Sequence, residues 1–150
     1  MRRLADELGI QAPSLYKHFP DKDSITTAIY VDYLEGQAEA LEAALAAPAD
    51  DHALVRVSEA YRSYARRNEA LYRFVHLLPY PRTDAADILR RLRIAWLKAA
   101  GDSDLAICAY AFTRGMVDME IHSLYPVSAS PESVYQIGLE ALVQRAARQR

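Results

Sequence analysis

The sequence predicts an all-α protein, and three observations carry that prediction. Apolar residues recur three and four apart along most of the chain, and no segment alternates apolar and polar residues with a period of two. Glycine (5) and proline (7) are scarce, and the prolines separate the periodic segments. Helix start and stop signals fall at those separations, and no internal repeat of 20–50 residues intervenes.

The first helix runs from about Arg2 to Leu8, with Leu4, Ala5 and Leu8 on one face. Gly9 supplies the left-handed residue that ends it, and Ile10 tucks under the turn. Pro13 opens the second helix, where a missing N–H costs nothing, and Leu15 and Phe19 share its apolar side. Asp21 caps a long third helix, Lys22 to Ala46, which is apolar at Ile25, Ala28, Ile29, Val31, Leu34, Leu41 and Leu45. Pro48 and the acidic pair Asp50–Asp51 then punctuate the chain, giving residues 1–46 as a head with its connecting helix and residues 47–150 as a body.

Five helices are expected in the body. The first covers Asp51–Arg67, with Leu54, Val57, Tyr61, Tyr64 and Ala65 inward. The next, Glu69–Leu77, takes Asn68 as its cap and stops at Pro79-Tyr80-Pro81. Asp84–Ala100 follows and closes on Gly101, and then comes Asp104–Ser123. The last is Pro131–Arg148, opened by Ser130 before Pro131.

Composition excludes several classes of function. No apolar run approaches the roughly 18–20 residues that cross a bilayer, and Arg2, Arg3, Asp6 and Glu7 break any signal-peptide core. A lone Cys108 suits a reducing cytoplasm, and its apolar run LAICAYAF marks it as a packing residue. No GxSxG, HExxH, paired CxxC or phosphate-binding glycine loop occurs, so no catalytic role, cofactor or metal is assigned. Glu120 and His122 lie two apart and face different sides of a helix, which disfavours a cation site. The net charge of −2 confines any nucleic-acid contact to a local patch. Residues 1–20 hold Arg2, Arg3 and Lys17 against Asp6 and Glu7, a balance of +1.

That patch is the most informative stretch. RRLADELGIQAPSLYKHF (Arg2–Phe19) is two short helices about a glycine turn, the helix-turn-helix pattern, with Ser14, Tyr16, Lys17 and His18 on the polar side of the second helix. From Leu4 to Ile25, LADELGIQAPSLYKHFPDKDSI resembles the reading head of the TetR family of bacterial transcriptional regulators. The LYxHF form at Leu15, Tyr16, His18 and Phe19 is far more specific than a generic helix-turn-helix. EAYRSYARRNEALYRFV and FTRGMVDMEIHSL in the body are similar to segments of many members, more weakly.

The resemblance implies that Gln11, Ala12, Ser14, Lys17 and His18 face base edges or phosphates, and that Tyr16 reaches the DNA backbone through its hydroxyl. Pro13 and Ala12 permit close approach to the groove, and Lys22 meets phosphate at the start of the long helix. Family members carry a further helix of about fifteen residues before the first one here. Its absence is expected to expose Leu4, Leu8, Leu15 and Ile29 and to loosen the head.

The body is aromatic-rich, and Tyr61, Tyr64, Tyr72, Phe74, His76, Leu78, Tyr80, Trp96, Tyr110, Phe112, Met116 and Met119 are the candidates to line a largely apolar effector cavity with a few polar anchors. For any one of them ordinary core is the favoured reading, since aromatic residues at helical spacing usually pack inside. Val134, Ile137, Gly138, Ala141, Leu142 and Arg145 form a stripe on the last helix, which Met116, Met119 and Leu124 can face. In the resembled family the last two helices pair with their copies, and two heads on one two-fold axis match a palindromic operator. The expectation is a cytoplasmic homodimeric repressor that binds DNA and responds to a small molecule, with no membrane contact. The alternative is a ligand-binding or protein-interaction dimer whose shortened head no longer reads DNA specifically.

Overall fold

The computed structural model describes residues 1–48, 52–78 and 83–148. Among them the chain is helical throughout, with α1 (Arg2–Glu7), α2 (Ala12–His18), α3 (Lys22–Ala46), α4 (Ala53–Arg67), α5 (Glu69–His76), α6 (Ala86–Ala100), α7 (Ser103–Ile121) and α8 (Pro131–Ala147). A 3-10 turn over Thr83–Ala85 leads into α6. The acidic pair Asp50–Asp51 and the Pro79-Tyr80-Pro81 break lie outside the described residues.

Local chemistry sets the ends of these helices. Gly9 has φ of +65°, the left-handed conformation expected after α1. Asp21 closes a capping box: its carboxylate accepts from the Ser24 backbone N–H at 2.7 Å, and the Ser24 hydroxyl faces the Asp21 N–H. One expectation needs correction. Asn68 does not cap α5 with its side chain; its amide donates to the Tyr64 carbonyl at 2.9 Å and so finishes α4. The cap of α7 is Asp102, whose carboxylate accepts from the Leu105 N–H at 2.8 Å.

The long α3 packs along α4 and α6, and α7 lies against α4, α6 and α8. Their shared core includes Tyr33, Leu41, Leu54, Val57, Tyr61, Ala65, Tyr72 and Val117, each at most 2% exposed. Arg91 on α6 reaches Glu35 and Glu42 of α3 and adds an ionic tie along the outside of that contact. A second, smaller cluster joins α7 to α8 through Met116, Tyr135 and Leu139, with Phe112, Tyr125 and Val55 packed on it.

Phe112 lies flat on Tyr135, ring centroids 5.9 Å apart, and its edge covers Gly138. A Cβ at Gly138 would fall well inside van der Waals contact with that ring. Gly138→Ala is therefore expected to lower stability by about 1 kcal/mol. Overpacking costs about 1–3 kcal/mol, which outweighs the roughly 1 kcal/mol that alanine gains over glycine in a helix. Urea denaturation of the two proteins checks this, and a stabilised variant would contradict it.

Candidate nucleic-acid interface and effector site

In the head, α1 and α2 pack on each other and bury only Ala5 and Leu15, which are 0% and 6% exposed. Leu15 remains buried, contrary to the expected exposure, because it is the anchor of α2. Leu4, Leu8 and Ile10 stay on the surface. With its apolar side turned onto α1, α2 presents the other side to solvent. Gln11, Pro13, Ser14, Tyr16, Lys17 and His18 are all exposed, Ala12 is half-buried, and Lys22 is exposed at the first position of α3. None of these side chains makes a side-chain hydrogen bond or ion pair among the described residues. The surface thus combines a phenol, an amide, a hydroxyl, an imidazole and two ammonium groups, none engaged within the fold. Such donors and acceptors suit phosphate and base-edge contacts.

In the body, the structure divides the expected effector residues into separate groups. Tyr61, Trp96 and Tyr110 form a mutual triad with ring centroids 5.9–6.0 Å apart. Tyr61 and Trp96 are nearly buried and form its floor, while Tyr110 is 36% exposed on its open side. Burial holds the Tyr61 phenol well above its ordinary pKa, so it stays neutral. Tyr72 adjoins this group and stacks on His76 at 4.0 Å, and its hydroxyl donates to Asp118 at 2.7 Å. Burial lowers the pKa of His76, whose Nδ1 lies 2.9 Å from the Tyr72 carbonyl. Tyr64 turns toward α3, where its hydroxyl donates to the Tyr33 carbonyl at 3.1 Å. Phe74 and Leu78 are half-buried against the main core, and Met119 is half-buried on α7. Phe112 and Met116 lie elsewhere, in the α7–α8 cluster, where the Met116 sulfur accepts from Tyr125. Tyr80 is outside the described residues.

Several further expectations are revised. Met116 does not face outward toward the α8 stripe but is 5% exposed inside the α7–α8 cluster. The stripe itself is split: Val134, Ile137, Ala141 and Arg145 are exposed, whereas Gly138 and Leu142 turn inward. Cys108 is exposed beside Ile107, so it is not a packing residue. At the end of α7, where no expectation is revised, His122 is exposed and Glu120 is taken up by an ion pair.

That ion pair was not anticipated. Arg62 of α4 is 7% exposed and donates through Nε and Nη2 to Glu120 of α7 at 2.7–3.2 Å. Its Nη2 also reaches Glu132 of α8 at 2.8 Å, and its guanidinium lies 4.3 Å over the Tyr135 ring. Three helices meet at one cation, and a groove of about 690 Å3 opens beside it along Arg66, Glu69, Tyr125 and Pro131.

No three His, Cys, Asp or Glu side chains gather to hold a metal among the described residues. No described helix is long and apolar enough to cross a membrane.

Comparison with known proteins agrees with this architecture. The crystal structure of a candidate regulatory protein, SCO4313, superposes with a TM-score of 0.82 at 20% identity, covering 95% of this chain and 84% of that one. A search of curated proteins returned no significant match. Residues 1–29, which contain α1, α2 and the start of α3, match the family model described as bacterial regulatory proteins, tetR family. Residues 1–29 are thus similar to the tetR family of bacterial regulatory proteins, and the chain as a whole shares its helical fold with the matched structure.

Proposed function

We propose that the chain is a homodimeric transcriptional repressor of the cytoplasm, which binds a palindromic operator through α2 and releases it when a largely apolar small molecule enters the body. The observation that carries this reading is the unengaged polar face of α2, formed by Gln11, Ser14, Tyr16, Lys17 and His18. Residues 1–46 would act as the reading head and its lever, and residues 47–150 as the effector and dimer body. A helix of 25 residues such as α3 spans about 37 Å, so a small tilt at its body end moves the head by several ångströms. The effector must bind the non-DNA geometry more tightly for release to follow.

Apolar exposure on the last two helices supports the dimer. Ile107 on α7 and Ile137 on α8 are each 66% exposed, with Val134, Ala111 and Ala141 nearby in the sequence of the same helices. A two-fold pairing of α7 and α8 would cover them and present two heads to half-sites about 34 Å apart.

Selection of binding sites from a random DNA library tests the reading. The expected result is enrichment of a palindrome; recovery of DNA with no shared sequence would favour the ligand-binding or interaction dimer instead. On the enriched site, Lys17→Ala is expected to reduce the slope of log affinity against log salt by about 1 for each head, since one phosphate contact is lost. Anisotropy titrations at several salt concentrations measure that slope.

A further inference from the structure

Arg114 differs from the other arginines that sit against the helical body. Arg62 is paired with Glu120 and Glu132, Arg73 with Glu69, and Arg91 with Glu35 and Glu42. Arg114 is half-buried on α7, yet among the described residues no carboxylate lies within ion-pair distance of it. Its one described hydrogen bond is the long 3.4 Å contact from Nη1 to the Tyr110 hydroxyl. Asp118, one turn further along α7, is taken up by Tyr72 instead. Most of the five guanidinium donors therefore remain unspent beside Tyr110, the partly exposed ring of the Tyr61–Trp96–Tyr110 triad.

A partly desolvated cation without a counter-ion is costly, and a guanidinium recovers that cost best by a two-point contact with a carboxylate. The adjoining rings offer an apolar surface to whatever carries the anion. We infer that the effector is an aromatic or otherwise apolar carboxylate, its ring against the Tyr61–Trp96–Tyr110 triad and its anionic group on Arg114. This deepens the proposed effector site and rests on that reading. The effector would supply the charge that α7 lacks at this point, so a neutral analogue would bind the same rings without the ionic contact.

Trp96 is the only tryptophan, so its fluorescence reports on the triad directly. The test titrates the full chain with benzoate, phenylacetate and 4-phenylbutyrate and with the corresponding amides. At least one carboxylate should quench Trp96 saturably, about tenfold or more tightly than its amide. Arg114→Gln should remove that preference while leaving amide binding unchanged, and Arg114→Lys should keep part of it. Amides that bind as tightly as the acids, or a carboxylate preference that survives Arg114→Gln, would overturn the inference. So would the absence of saturable quenching by all three acids. The regulator reading fails separately, by the DNA selection yielding no operator.

Discussion

Arg62→Ala is expected to lower the free energy of unfolding by about 3 kcal/mol. Removing one member of a buried ion pair costs about 3–5 kcal/mol, because the surviving charge stays in a low-dielectric site without its partner. Glu120 is the group stranded here: its side chain is 10% exposed, and the remaining cation in reach, Arg66, lies 3.9 Å away with its side chain 60% exposed. The lower end of the range applies because the groove beside Glu132 admits water and the Glu132 side chain is 59% exposed. Guanidinium denaturation followed by far-UV circular dichroism reads the loss. Arg62→Met combined with Glu120→Leu should recover most of it, since an apolar pair of similar volume removes both desolvation penalties. A single variant within about 0.5 kcal/mol of wild type, the spread of ordinary surface substitutions, would show that the triad does not hold α4, α7 and α8 together.

Trp96→Ala should cost about 3–5 kcal/mol, the range for truncating a large aromatic in a packed core. Trp96 is 4% exposed and touches both other rings of the triad, so no neighbour on α6 can swing in to fill the space. The cavity left behind is apolar and has the shape of the lost ring. Indole added in millimolar excess should therefore raise the melting temperature of the variant by more than that of the wild type. A loss below about 1 kcal/mol would mean that the site collapses freely, which a well-ordered effector surface should not do.

Much of the fold was legible because its signals are local. The Gly9 turn, the Asp21 box and the Ser130-Pro131 start each depend on residues within four of one another, and each forms as the sequence implies. Asn68 misled for a related reason: it stands between two helices, and its amide can serve either, so only the geometry decides. The head was legible in part: Leu15 lies on the apolar side of α2 as the spacing implies, but its expected exposure was wrong because α1 and α2 pack on each other and cover it.

The body was less legible. Glu120 and Glu132 lie 58 and 70 residues from Arg62 along the chain, and no periodicity links them to it. Aromatic residues at helical spacing named a set of candidates but not how the fold divides them. Tyr61, Trp96 and Tyr110 meet, while Phe112 joins Tyr135 on the opposite side of α7. Arg114 carried one usable signal, its position four residues from both Tyr110 and Asp118, but its lack of a carboxylate partner depends on what α4, α5 and α6 place opposite it.

Anisotropy titration of the selected operator, against a scrambled duplex of equal length, tests the central claim most directly. Wild type should bind the operator about a thousandfold or more tightly than the scrambled DNA. A Tyr16→Ala/Lys17→Ala variant, altered only on the exposed face of α2, should lose most of that ratio while its thermal unfolding stays unchanged. Equal affinity of the wild type for both duplexes, or a double variant that still discriminates fully, would contradict it.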